Sequence, residues 1–158
     1  FVPYKKVDLV IEAFNGVDRK LLIVGKGPME QEYRKIRRTD KIHFLGAVPD
    51  PELINIYAGA KALIFPTEED FGIVPLEAQS CGTPVIASNR ASLPEILGES
   101  ALLVEPWKIG DLVSAIETVV LNPGIKKRFV LAGFKNIKRF DWKKTARETL
   151  RVFYESRA

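Results

Sequence analysis

Five short, almost wholly apolar runs constrain this chain more than any other feature. They are Leu21-Leu22-Ile23-Val24, Ile42-His43-Phe44-Leu45, Ala62-Leu63-Ile64-Phe65, Val85-Ile86-Ala87 and Ala101-Leu102-Leu103-Val104. The first four are followed by Gly25, Gly46, Pro66 and Ser88-Asn89. Runs without polar alternation suit strands covered on both faces, as in a parallel sheet. Between them lie helical signals. Val7, Val10, Ile11 and Phe14 fall at helical spacing before Gly16, and Pro28, Pro51 and Pro75 stand where first-turn prolines belong. The alternation predicts an α/β fold: a doubly wound, mainly parallel sheet with helices on both faces. The last third reads as three helices over 111–121, 125–139 and 141–154, with Asp111 capping the first. Asp141 is expected to cap the third, with Trp142 as a packing anchor.

The 158 residues are enough for one domain with its own core, and 46% apolar with 28% charged residues excludes a disordered chain. No apolar run approaches the roughly 20 residues that span a bilayer. The single cysteine, Cys81, excludes an internal disulfide framework and points to a reducing, cytoplasmic setting. One His beside one Cys argues against a metal site of the usual zinc ligands. The net charge of +4 is mild, and Arg37-Arg38 and Lys126-Lys127-Arg128 read as solvated helix faces rather than a nucleic-acid stripe. His43 and Cys81 read as structural residues, and Trp107, like Trp142, as a packing anchor. The chain opens on a helix where a βαβ sheet opens on a strand. We therefore expect residues 1–158 to be a fragment that lacks the first strand of its domain.

Ligands of open parallel sheets bind beyond the carboxyl ends of the strands. Here those ends carry Gly25-Lys26-Gly27-Pro28, Gly46-Ala47-Val48-Pro49, Pro66-Thr67-Glu68-Glu69-Asp70-Phe71-Gly72 and Ser88-Asn89-Arg90-Ala91-Ser92. The third loop is the most informative, because three acids and a glycine precede a helix expected to begin near Pro75. A helix N-terminus offers unpaired N–H groups and a partial positive charge to phosphate. Carboxylates accept hydrogen bonds from hydroxyls, so Glu69 and Glu77 beside that terminus suit a ligand with both phosphates and hydroxyls. The bland alternative is that Glu77 only complements the helix dipole and the acids form a solvated loop. Gly25-x-Gly27 lacks the third glycine of a dinucleotide fingerprint.

The segment 69–77, continuing through Gly82-Thr83-Pro84-Val85-Ile86-Ala87, resembles the Glu-x7-Glu motif of retaining GT-B glycosyltransferases. Pro3-Tyr4-Lys5-Lys6-Val7-Asp8, Leu22-Ile23-Val24-Gly25-Lys26-Gly27-Pro28, Phe44-Leu45-Gly46 and Ser92-Leu93-Pro94-Glu95-Ile96 resemble other parts of that family, in the same order. The wording Glu68-Glu69-Asp70-Phe71-Gly72-Ile73-Val74-Pro75 is most similar to mannosyltransferases of the WbaZ type, which act in polysaccharide assembly. The resemblance implies the nucleotide-sugar binding half of a GT-B fold that uses GDP-mannose. It implies that Glu69, with Asp70, Phe71 and Gly72, meets the transferred sugar. Lys5 and the N–H groups of Ile73 and Val74 would meet the phosphates, Glu77 the ribose, and Gly46, Ala47 and Val48 the base. Glu69 and Lys5 would be the catalytic pair. No cofactor and no metal are implied. An acceptor glycan or lipid-linked sugar would be held by an absent N-terminal domain, with peripheral contact at the inner membrane face open to the whole enzyme. A phosphate-binding Arg of the relatives would fall upstream of Phe1, so the isolated domain is expected to be inactive alone. Alternatives are the same fold with a UDP-sugar donor, a nucleotide-sugar epimerase, or a noncatalytic α/β interaction domain of receiver type.

Overall fold

The computed structural model describes residues 1–156. A 3-10 turn, Pro3–Lys5, leads into α1 (Val7–Asn15). Strands and helices then alternate: β1 (Leu21–Val24), α2 (Glu30–Ile36), β2 (Ile42–Gly46), α3 (Asp50–Gly59), β3 (Leu63–Phe65), α4 (Ile73–Ser80), β4 (Val85–Ser88), α5 (Leu93–Leu97) and β5 (Leu102–Val104). Three helices end the chain: α6 (Ile109–Leu121), α7 (Pro123–Ile137) and α8 (Trp142–Glu155).

Every strand pairing is parallel, and the strands form two hydrogen-bonded units, β1–β2 and β3–β4–β5. Side chains of a strand alternate between faces, and β4 shows what covers each face. Ile86 belongs to a core built with α1, α6 and α7, while Val85 and Ala87 belong to a second core with α3, α4 and α5. All four residues of β4 are buried. The expected fold class therefore holds, with helices on both sides of the central strands.

The outer pair behaves differently. In β1 and β2 the burial alternates, leaving Leu22, His43 and Leu45 exposed. These two strands are covered on one face, so an all-apolar run was not sufficient evidence for double coverage. His43 is accordingly a surface residue rather than a core one. A register shift between Ile23 and Val24 brings Val24 opposite Gly46, the kind of irregularity that redirects a strand end.

Several helix ends differ from the sequence reading. Asp111 lies in the first turn of α6, where its charge complements the helix dipole, but Lys108 holds the cap position. Asp141 does cap α8, accepting from the Lys143 N–H at 2.7 Å. Trp142 is 76% exposed and anchors nothing, and α8 buries no residue at all. Trp107 is also half-exposed, with the Lys6 ammonium 4.2 Å from its ring centre.

The fold positions α4 through a buried polar network. Gln79 is 1% exposed and donates to the Ser100 hydroxyl and carbonyl at 2.7 and 3.2 Å. Asn136 of α7 donates to Gln79 Oε1 at 2.9 Å and to the Ile96 carbonyl at 3.1 Å. A side chain on Gly133 would meet Gln79 Cγ at 3.1 Å, so the two helices lie close together here. Removing one partner of a buried pair strands the other. Asn136→Ala is expected to destabilise the chain by about 1–3 kcal/mol in urea unfolding, and a loss below about 0.5 kcal/mol would show that the network is not structural.

Candidate functional site

Parallel pairing brings the carboxyl ends of β3, β4 and β5 to one edge. Beyond β3, Thr67 is 1% exposed and its hydroxyl donates to the Tyr4 carbonyl at 3.0 Å. This bond ties the acid loop to the turn that carries Lys5. The Lys5 ammonium forms an ion pair with Glu69 Oε2, both side chains being partly buried. The cation and the first glutamate of the motif thus neutralise each other.

Glu69 is held from the other side as well. The Ser92 hydroxyl donates to the Glu69 carbonyl at 2.6 Å, and the Ser92 N–H reaches the same oxygen at 3.4 Å. Lys6 and Ala91 are the non-glycine residues with positive φ among the described residues, both at 53°. One follows Lys5 and the other precedes Ser92. Such backbone costs energy and persists where the surroundings over-determine it.

The helix that follows starts earlier than the sequence implied. Gly72 takes the cap position at φ 87°, and α4 begins at Ile73, with Pro75 its third residue. A Cβ on Gly72 would lie 2.8 Å from Leu93 Cδ2, so both its backbone and its packing call for glycine. Pro75 has no N–H, which leaves Ile73 and Val74 as the free donors of the first turn of α4. Glu77 is its fifth residue and lies in the second turn rather than the first. Phe71, 43% exposed, meets Phe140 edge-on at 5.7 Å, and the Arg139 guanidinium lies 5.2 Å from the Phe140 ring centre. The turn after α7 thereby steadies the loop, as α7 itself steadies α4.

Glu77 accepts a hydrogen bond at 3.1 Å from the hydroxyl of Tyr57, which is 9% exposed and lies on α3. Burial first, then the charge and hydrogen bond of Glu77, push the Tyr57 phenol above its ordinary value of 10.0.

The structure thus pairs Lys5 with Glu69 in the loop that leads through Phe71 and Gly72 to Ile73 and Val74 at the start of α4, with Glu77 further along the same helix. Asp70 is exposed and has no hydrogen-bond or ion-pair partner among the described residues. Gly46 ends β2 and Ala47 and Val48 follow it, and the three make no direct polar contact with either glutamate among those residues. Surface cavities of about 270 and 260 Å³ lie elsewhere, one between α6 and the loop before β1, the other beside Lys6 and Tyr33. Sequence reasoning missed Tyr57, Thr67 and Phe140, whose residue types are ordinary for a core helix or a loop. Ser92 had been quoted only as part of a loop.

The family described as glycosyl transferases group 1 matches residues 1–148. The chain belongs to this family. It is 33% identical over 113 residues to an O-antigen chain mannosyltransferase B of Escherichia coli, covering 71% of this chain and 30% of that protein. It is 33% identical over 161 residues to a phosphatidyl-myo-inositol mannosyltransferase of Mycobacterium leprae, covering 96% of this chain and 43% of that one. Among solved structures, a sucrose-phosphate synthase from Thermosynechococcus elongatus superposes with a TM-score of 0.84 at 25% identity, covering 98% of this chain and 43% of that one. This group 1 chain therefore spans less than half the length of these relatives.

A raised phenol pKa has a consequence for stability. The folded state holds the Tyr57 proton more tightly than the unfolded chain does. The associated stability is complete below about pH 10 and is lost as pH climbs through the higher folded value. Tyr57→Phe is expected to flatten the fall in stability above pH 10, read from urea titrations at increasing pH. Parallel pH profiles for the two proteins would contradict the assignment.

Proposed function

We propose that this chain is the donor-binding domain of a glycosyltransferase that takes mannose from GDP-mannose and delivers it, with retention, to a glycan or lipid-linked acceptor. The observation that carries the reading is the α4 N-terminus. Its free N–H groups on Ile73 and Val74 share one edge of the fold with a cation, Lys5, and a carboxylate, Glu69. An anion-binding helix end beside an acceptor of hydroxyl protons matches the two chemistries of a nucleotide sugar.

In this reading the diphosphate sits at Ile73 and Val74 with Lys5 as its counter-charge. The sugar meets Glu69, Asp70, Phe71 and Gly72, the ribose meets Glu77, and the base lies by Gly46, Ala47 and Val48. Departure of the diphosphate develops negative charge, and Lys5 with the helix end stabilises it where it forms. Lys5 pairs with Glu69, so a donor seated at both residues exchanges that ion pair for a phosphate contact and a sugar contact. No metal or cofactor takes part. The mannosyl assignment is supported by the two mannosyltransferase relatives and by the loop wording around Glu69 and Phe71. The acceptor belongs to parts of the enzyme outside this domain, and membrane contact at the inner face would be made there.

Isothermal calorimetry with GDP-mannose, UDP-glucose and UDP-N-acetylglucosamine tests the proposal. GDP-mannose is expected to bind tightest, and Glu69→Ala or Lys5→Ala to weaken it about tenfold or more. Tighter UDP-glucose binding would overturn the mannose assignment. Affinities indifferent to both substitutions would overturn the site.

A further inference from the structure

Glu77 has two carboxylate oxygens, and the structure treats them unequally. Oε2 accepts from the Tyr57 hydroxyl at 3.1 Å. Oε1 has no protein partner, and no Lys or Arg pairs with Glu77 among the described residues. A solvent-facing glutamate with no cation ordinarily samples several rotamers. This one is tethered by a buried group.

Tyr57 is itself fixed. Its ring packs in the core that holds Phe65, Ala78 and Val85. Its carbonyl accepts from the Thr83 hydroxyl at 2.5 Å and from the Ala60 N–H at 3.0 Å. The hydroxyl is the only polar atom of the side chain, and phenylalanine would fill the same space without it. The bond also joins α3 to α4, and so joins the helix after Gly46, Ala47 and Val48 to the helix that carries Glu77.

We propose that Tyr57 is a positioning residue for Glu77: it holds Oε2 so that Oε1 is presented to a hydroxyl of the bound nucleotide's ribose. The inference rests on the ribose reading of Glu77 above. Pre-setting a carboxylate removes the rotamer cost that binding would otherwise incur. A hydroxyl already bonded to Oε2 also steers an incoming donor toward the other oxygen. A phenol keeps its proton through the neutral range and the shift here is upward, so the donor proton stays in place.

The test compares GDP with 2′,3′-dideoxy-GDP by calorimetry, with the uridine pair alongside, on the full chain. The readout is the ratio of the two dissociation constants within each protein, which a general loss of stability leaves unmoved. Wild type is expected to prefer the ribonucleotide, Glu77→Ala to bring the ratio close to one, and Tyr57→Phe to lower it about three- to tenfold. In a Glu77→Ala background, Tyr57→Phe is expected to change the ratio no further. Should Tyr57→Phe fold poorly, Thr83→Val releases the Tyr57 carbonyl from behind and is expected to lower the ratio in the same direction. A ratio unmoved by Glu77→Ala overturns the ribose reading and this inference with it. A ratio moved by Glu77→Ala but unmoved by Tyr57→Phe, or by Thr83→Val in its place, overturns the role of Tyr57 alone.

Discussion

The candidate site exists because β3, β4 and β5 run in the same direction. Parallel strands need crossover helices, and each crossover returns the chain to the same end of the sheet. All three carboxyl ends therefore lie on one edge. β4 is the strand that keeps that edge in place, because it is buried on both faces and paired on both sides. Its coverage by two separate cores leaves it little room to shift, as interiors are close-packed. Polar contacts then register the loops on this frame. Thr67 ties the acid loop to Tyr4, Ser92 ties Glu69 to the loop after β4, and Tyr57 ties Glu77 to α3.

Much of this could be read from the sequence where the signal was local. Short apolar runs located all five strands, and Pro75 after Gly72 placed the start of α4 within two residues. Two things escaped. The first was coverage: Leu22 and Leu45 are as apolar as Ile86, yet they face outward, because burial depends on what lies opposite and not on the residue. The second was long-range pairing. Gln79 and Asn136 are ordinary polar residues of two helices 57 positions apart, and only the packing of α4 on α7 makes them partners. Tyr57 was invisible for the same reason, since a tyrosine on a helix carries no mark of the acid its hydroxyl meets. Trp142 failed in the opposite sense. A large aromatic beside a cap looks like an anchor, but α8 buries none of its residues.

The Lys5–Glu69 pair divides charge between two elements that are far apart in sequence and adjacent in space. With both partners partly exposed, the pair is screened and of modest strength. A tightly buried pair would cost far more to separate. The positive φ of Lys6 and Ala91 at either side has a related meaning. The local chain is held in its less comfortable form by its neighbours, so the geometry around Glu69 is set by the surrounding structure and not by the loop alone.

The division of the strands into β1–β2 and β3–β4–β5 also separates the loops of the rim. Within each unit the ladder bonds are directional and resist sliding. Between the units, the described residues share side-chain packing but no ladder bond. Gly46 and its loop ride on one unit and α4 on the other. Tyr57 packs with Ala78 of α4 and Val85 of β4, so its 3.1 Å bond to Glu77 belongs to the second unit, and the end of β2 is set against α4 through α3.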